Sequence, residues 1–364
     1  MALTETSNNK GLFNLLRSRR RSFDSRQIAA LLKRVNKIRT KSLAGALATY
    51  IQENLPAAIA KRETLAEYRI NPYVLMTSAA VANLSDPDRL AQFLFGSKLY
   101  MGLETSFGKS VESAFLSPYP LESKEKWSDA PEKLAESALL LGIGREDKAQ
   151  QRLDSVWREI DKSVVLEHRR YLVSIKSGPR NINDTQVQAM TRAILDHHGE
   201  WFDKTRKNFP DVQQMDIVIG LTYGTDLISN NKENQILAKL LQRGFREEDR
   251  EKKPGVLIDE KTASVRVYRV IGQDFWSFIG NPAKPETAEF VFLEVLLALA
   301  KALSEKKTLT LEQQINAKMR SLAAALARLT FPDRALPDWV KKGFSKDALF
   351  WFATAVSAFY DDGI

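Results

Sequence analysis

Three residues near the middle of the chain have the types and spacing of a hydrolytic site. Asp161 opens the first of two predicted strands, and Lys176 follows Ser174 near the end of the second, YLVSIKSG. A short turn between the strands would bring their outer ends to one edge of a sheet, and alternation places Ser174 and Lys176 on one face. An acid and a lysine there can bind a divalent cation, orient water and offset charge on a phosphoryl group. This chemistry suits phosphodiester hydrolysis.

The same spacing has a simpler interpretation. An aspartate and a lysine on adjacent strands most often form an exposed cross-strand ion pair that contributes little to stability or function. The spacing of Asp161 and Lys176 alone leaves both interpretations open.

Short segments around these residues are similar to the motifs of a known protein family. They are EID, YLVSIKSGP and NDTQVQ, with further similarity in ETSFGKSVE, VIGLTYG and GQDFWSFIG. Over residues 95–280 the chain resembles the PD-(D/E)XK nucleases, in particular type II restriction endonucleases. The resemblance implies that Asp161 binds Mg²⁺ and that Lys176 is the family's lysine, which stabilises the attacking water or the pentacovalent phosphate.

Ser174 departs from the family motif, which usually has Glu or Asp at this place. Serine is a weak ligand for Mg²⁺, so a site that holds the ion well needs another carboxylate to supply the missing charge. Glu112 is the preferred second metal ligand, because its helix, ETSFGKSVES, resembles a family helix that often contributes an acid. Glu159 and then Glu167 are the alternatives.

Other polar residues near the motif are candidates for DNA contact or for orienting water. Gln188, on the helix after Lys176, is a candidate catalytic residue, although a solvent-facing helix position explains it equally well. The candidate DNA contacts can reach phosphates or base edges; they are Arg180, Asn183, Lys232, Arg266 and Arg269. Asn183 fits helix capping at least as well, and the two last arginines fit ordinary surface charges equally well.

The patterns around the motif predict an α/β core with a mixed sheet, flanked by helices. Apolar residues at three- and four-residue spacing predict helices over most of 25–83 and 88–115. Four strands are predicted in REIDKSVVLE, YLVSIKSG, MDIVIGLTYG and ASVRVYRVIG, with a long helix between the second and third. Three further helices follow residue 289. The expected regions are a basic helical region at 1–94, the nuclease-like core at 95–280 and a helical region at 281–364.

The composition narrows the possible classes of site. The chain has no cysteine and three histidines, so disulfides, thiolate nucleophiles and cysteine zinc sites are excluded, and a metal site should use oxygen ligands. No run approaches the roughly 18 apolar residues of a membrane span, and the start lacks the order of a secretory signal. We therefore expect no membrane association and a location in the prokaryotic cytosol.

The basic charge favours a polyanionic partner. The formal net charge is +9, and Lys10 to Lys41 contains eleven Lys or Arg residues against one acid, Asp24. This segment is either a solvated basic helix or a phosphate-contacting segment whose binding weakens as salt rises.

The segment GLETSFGKS looks like a phosphate-binding loop, but five residues separate its glycines, Gly102 and Gly108, where four are required. No clean strand precedes it. We therefore do not expect an NTPase.

These observations lead to one expected function. The resemblance implies that the chain hydrolyses double-stranded DNA at a specific sequence with Mg²⁺, leaving 5′-phosphates, as a type II restriction endonuclease. A palindromic target calls for a homodimer, and self-protection calls for a cognate DNA methyltransferase as genetic partner. The alternatives are a structure-selective repair or mobile-element nuclease of the same fold, and a noncatalytic DNA-binding protein.

Overall fold

The computed structural model describes most of the chain. The described residues are 29, 32–60, 71–110, 115–116, 118–123, 156–176, 182–224, 232–249, 251, 253–304, 308–329, 331 and 336–360. Two of the predicted site residues, Glu112 and Arg180, lie outside these ranges.

The sheet has seven strands and mixes antiparallel with parallel pairing. Its strands are β1 (Glu122–Ser123), β2 (Lys162–Leu166), β3 (Arg169–Lys176), β4 (Gln214–Leu221), β5 (Phe245–Asp249), β6 (Lys253–Asp259) and β7 (Val265–Ile271). Their order across the sheet is β1-β2-β3-β4-β7-β6-β5. The three central strands β3, β4 and β7 run parallel, and the outer neighbours pair antiparallel. The predicted mixed α/β sheet is confirmed.

Ten α-helices lie within the described ranges. They are α1 (Lys37–Ala60), α2 (Pro72–Val81), α3 (Pro87–Ser110), α4 (Asp184–Asn208), α5 (Lys232–Leu241), α6 (Gln273–Gly280), α7 (Val291–Ser304), α8 (Thr308–Ala327), α9 (Asp338–Gly343) and α10 (Lys346–Tyr360). A 3₁₀ turn covers Pro285–Ala288. Residues 102–110, which include the GLETSFGKS segment, are helical backbone within α3, a conformation that a phosphate-binding loop does not have.

One face of the sheet is covered by α4 and α5. The apolar residues of α4 recur at helical spacing, and those that join the core include Val187, Met190, Ile194 and Trp201. They pack with Leu172 and other apolar residues of the central strands. Burying one such side chain contributes about 1.5–3 kcal/mol, so this face fixes the position of α4 on the sheet.

The other face of the central strands packs against α6. The rings of Tyr171 and Phe278 lie 5.7 Å apart, edge to face. A side chain at Gly220 would meet the ring of Phe275 at 2.6 Å, so β4 requires glycine at this contact. The sheet is therefore covered by helices on both faces.

The chain divides into two compact units. Unit 1 combines Met1–Ala46 with Phe107–Leu299, and unit 2 combines Leu47–Ser106 with Ala300–Ile364. Within unit 2, α2 packs against α10, and the indole of Trp351 donates a hydrogen bond to the carbonyl oxygen of Leu84 at 2.9 Å. The sheet belongs to unit 1. The predicted limits 1–94, 95–280 and 281–364 stay a prediction.

The strand predictions were correct for the four central segments and incomplete at the edge. β2, β3, β4 and β7 lie where alternating apolar residues predicted them. β5 and β6 form an antiparallel pair over residues 245–259, where the sequence predicted no strand. Within the described ranges, the helices are too short or too polar to cross a bilayer.

Candidate active site

The hairpin of β2 and β3 determines which residues meet. The strands pair antiparallel, with Lys162 opposite Val173 and Leu166 opposite Arg169. The turn between them is tight, and Glu167 has a positive φ of 55°. The beginning of β2 therefore lies beside the end of β3. We call Glu159, Asp161, Ser174 and Lys176, which surround this point, the strand-end site.

Asp161 is fixed to the neighbouring strand by two hydrogen bonds. Its Oδ2 accepts a hydrogen bond from the backbone N–H of Ile175 at 2.6 Å. Its own N–H donates to the carbonyl oxygen of Val173 at 2.9 Å. The carboxylate therefore lies alongside the segment of β3 that carries Ser174 and Lys176, as the sequence predicted from the hairpin.

Lys176 has an acid beside it that comes from outside the strands. Its Nζ lies 3.9 Å from Oε2 of Glu159, and the two side chains are 19% and 13% exposed. The Nε of Arg158 approaches the other carboxylate oxygen at 3.7 Å. Both distances exceed the length of a hydrogen bond, so these ion pairs are loose. The Lys176 ammonium group retains partial access to solvent.

Ser174 is buried in β3, two residues before Lys176. It is 0% exposed, and within the described part of the chain its Oγ has no hydrogen-bond partner. Strand alternation places it on the same face as Lys176. A buried hydroxyl without a partner has lost its hydrogen bonds to water and gained none in return. Ser174 therefore contributes no side-chain hydrogen bond to the described part of the fold.

The donor chemistry of the strand-end site fits Mg²⁺. Carboxylate oxygens are its usual protein ligands, and it commonly uses one or two of them, with waters and substrate phosphates completing the octahedron. Asp161 and Glu159 are the described acids that would hold the ion. In the described ranges no group of three acidic or histidine side chains converges. The preferred ligand Glu112 lies outside these ranges, so its assignment stays a prediction.

The first turn of α4 begins near the strand-end site in sequence and is tied down by its own cap. The side chain of Asn183 accepts from the N–H of Gln186 at 2.8 Å, and the Gln186 side chain accepts from the N–H of Asn183 at 3.0 Å. This capping box accounts for Asn183, whose DNA contact stays a prediction. Gln188 is exposed on the same helix. Its role in orienting water stays a prediction.

Lys232 joins the first turns of α4 and α5. Its ammonium group donates a hydrogen bond to Oδ1 of Asp184. That hydrogen bond, together with the charge of Lys232, holds the pKa of the Asp184 carboxyl below its usual range. Asn183 caps α4, and Asp184 is the acid in its first turn. The ion pair gives Lys232 a structural role, and its DNA contact stays a prediction.

The two arginines of β7 also have partners inside the fold. Arg266 lies 2.7 Å from Oε1 of Glu248, and Arg269 lies 3.3 Å from Oε1 of Glu233, which is fully buried in α5. Both arginine side chains are less than a quarter exposed. These pairs give the arginines a structural role that the sequence did not predict. Their contact with bases or phosphates stays a prediction.

Part of the basic amino-terminal segment is likewise paired. Arg39 forms a two-pronged ion pair with Glu294, with distances of 2.6 and 2.9 Å, and the N–H of Asn36 donates to the same carboxylate at 3.1 Å. The hydrogen bond to Glu294 raises the pKa of Arg39. Arg34 lies 3.4 Å from Glu289. These two arginines therefore anchor the segment to residues at and before the start of α7.

A second charged cluster was missed by the sequence analysis. Asp216 is 1% exposed, and its Oδ2 accepts hydrogen bonds from Arg169 at 3.1 Å and from the hydroxyl of Tyr268 at 3.2 Å. Burial raises the pKa of the Asp216 carboxyl, and the charges of Arg169 and Arg266 oppose this shift. An aspartate inside an apolar strand was the signal in the sequence, because buried acids are rarely left unpaired.

Comparison with known proteins adds no relative. No protein-family model matches the chain, and no curated protein is significantly similar to it.

Proposed function

We propose that the chain is a Mg²⁺-dependent endonuclease of the PD-(D/E)XK type that cleaves double-stranded DNA at a specific sequence. The observation that carries this proposal is the strand-end site. There Asp161 is hydrogen-bonded to the backbone of β3, while the ammonium group of Lys176 lies 3.9 Å from a second acid. An acid and a lysine on two adjacent strands are what the family resemblance implies.

The arrangement of the core also supports the proposal. The antiparallel pair β2 and β3 is followed by the long helix α4 and by β4, which is parallel to β3. The carboxyl ends of β3, β4 and β7 therefore share one edge of the sheet, and ligands of open α/β sheets bind beyond such an edge. Lys176 is the last residue of β3, so its ammonium group is at this edge.

Each residue of the site would contribute a separate part of the reaction. The hydrogen bond from the Ile175 N–H orients the Asp161 carboxylate, and Asp161 with Glu159 or Glu112 would hold the metal ion. When bound, Mg²⁺ supplies a Lewis acid that offsets charge on the phosphate and activates water. The Lys176 ammonium group stabilises the attacking water or the negative charge that develops on phosphorus oxygens. The products would carry 5′-phosphate and 3′-hydroxyl ends.

The biological setting follows from this chemistry. We propose a type II restriction endonuclease that acts as a homodimer, because two equivalent sites related by a twofold axis match a palindromic duplex. A cognate DNA methyltransferase would protect the host genome.

Incubation of the purified chain with plasmid DNA and Mg²⁺ tests the proposal. Discrete bands that vanish with a chelator, and ends that sequence to one repeated site, are the expected result. Cleavage confined to branched DNA or to DNA ends would instead indicate a structure-selective nuclease of the same fold.

A noncatalytic DNA-binding protein is the second candidate, and Ser174 is the observation that favours it. The motif position that usually carries an acid holds a fully buried serine, as expected if an ancestral metal site had decayed. DNA binding without cleavage in either Mg²⁺ or Mn²⁺ would establish this candidate.

A further inference from the structure

Glu159 has a fixed backbone although it precedes the strand. Two neighbours in the same segment, Trp157 and Ile160, are 3% and 0% exposed. The ring of Trp157 stacks on Trp201 of α4 at 5.8 Å, and the Trp201 indole donates to the carbonyl oxygen of Val156 at 2.9 Å. The segment is therefore anchored to the core on both sides of Glu159, which confines its carboxylate to the end of the hairpin.

The Glu159 carboxylate is mostly buried, yet its ion pairs are loose. Its side chain is 13% exposed, yet within the described part of the chain it accepts no hydrogen bond, and Arg158 and Lys176 approach no closer than 3.7 and 3.9 Å. The carboxylates of Asp216 and Glu294, by contrast, accept hydrogen bonds from guanidinium groups at 3.1 Å or less. A poorly hydrated carboxylate with only loose ion pairs gains more from a bound cation than a satisfied one does.

The residue at the usual motif position cannot take this role. The Ser174 hydroxyl is fully buried, has no partner and carries no charge, although it lies on the same face as Lys176. A carboxylate buried at this position would lose its hydration, which is costly for a charged group. The second negative charge has to come from a residue beside the strand end, and Glu159 is the described acid that contacts Lys176 there.

We propose that Glu159 is the second carboxylate ligand of the divalent cation, in place of the acid that Ser174 replaces. This inference rests on the proposed function and sharpens it, because it assigns the ligand to the segment before β2 instead of to Glu112. Cation binding would also draw Glu159 from Lys176, which leaves the ammonium group available to the phosphate.

Binding of Mn²⁺ alone, measured by the water-proton relaxation of the full chain without DNA, tests the proposal. Glu159→Gln keeps the shape of the side chain and should weaken Mn²⁺ binding by about tenfold or more, as should Asp161→Asn. Glu260→Gln is the matched control, because Glu260 is an exposed acid just after β6, near the opposite edge of the sheet, and its loss should leave the affinity within about twofold. Thermal unfolding establishes that each variant is folded.

The outcomes separate this proposal from the proposed function. Wild-type cleavage and Mn²⁺ binding, combined with unchanged Mn²⁺ affinity in Glu159→Gln, would overturn Glu159 as the ligand while leaving the nuclease intact. A loss of affinity in Glu112→Gln but not in Glu159→Gln would assign the ligand to the upstream helix. A wild-type chain that neither binds Mn²⁺ nor cleaves DNA would overturn both.

Discussion

The two ends of β3 hold acids and cations in different ways. At its first residue, Arg169 donates a hydrogen bond at 3.1 Å to Asp216, which is 1% exposed and also bonded by Tyr268. At its last residue, Lys176 lies 3.9 Å from Glu159, without a hydrogen bond between them. The first pair gives one oxygen of a buried carboxylate, Oδ2, a guanidinium and a hydroxyl partner, and contributes to the fold. The second pair has no hydrogen bond to lose, so Glu159 can contact a cation and Lys176 a phosphate without breaking one.

Removing Lys176 should give the largest effect on activity and little on stability. Lys176→Ala is expected to lower the rate of DNA cleavage by about 100- to 1000-fold, because one preorganised charge that stabilises the transition state is lost. The free energy of unfolding should change by less than about 1 kcal/mol, because the ion pair is loose. Plasmid cleavage and denaturant unfolding measure the two effects. Retained cleavage would remove Lys176 from the reaction.

Removing Arg169 should produce the opposite pattern. Arg169→Leu leaves the buried Asp216 without its guanidinium partner and is expected to lower the free energy of unfolding by about 3 kcal/mol. At a temperature where the variant is folded, its cleavage rate should stay within a few-fold of the wild type. A stable variant with impaired cleavage would show that the two ends of β3 do not have separate roles.

The pH dependence of stability should reflect Asp216. Burial raises the pKa of its carboxyl in the folded chain, so the folded state binds a proton more readily than the unfolded state does. The contribution of Asp216 to stability therefore falls as pH rises from the ordinary carboxyl pKa through the raised one, with a slope of at most about 1.4 kcal/mol per pH unit. Asp216→Asn should remove this slope when denaturant unfolding is compared at a series of pH values. An unchanged profile would contradict the burial of an ionisable group here.

A smaller effect is expected at the cap of α4. Asn183→Ala removes the side-chain acceptor of the capping box and should lower the free energy of unfolding by about 1 kcal/mol. If capping is its whole role, the affinity for DNA stays unchanged. A tenfold loss of affinity at constant helix content would instead support the predicted DNA contact.

The sequence predicted the centre of the sheet better than its edge. β4 contains a run of branched apolar residues, and β7 alternates them with polar ones. Both patterns predict a strand from the local sequence alone. β5 has the charged sequence FREED, and β6 contains Pro254 and Gly255, which are unfavourable in strands. The sequence therefore did not predict this edge hairpin, which joins the sheet by pairing with β7.

The site was predictable in part for the same reason. A hairpin with a short turn brings Asp161 to the end of β3, because pairing across two strands follows from the turn. The contact of Glu159 with Lys176 depends on a segment outside the strands that is positioned by the stacking of Trp157 on Trp201. The partners of Arg266 and Arg269 come from β5 and α5. Such contacts depend on tertiary packing, which residue spacing does not reveal.

The central claim is that the strand-end site cleaves DNA with the help of a divalent cation. The most direct test compares plasmid cleavage by the wild type and by Asp161→Asn at the same Mg²⁺ concentration. The asparagine side chain can still accept the hydrogen bond from the Ile175 N–H but lacks the negative charge. The account predicts discrete Mg²⁺-dependent cleavage by the wild type and a rate at least about 100-fold lower for the variant. Equal rates, or a wild-type chain inactive with both Mg²⁺ and Mn²⁺, would contradict it.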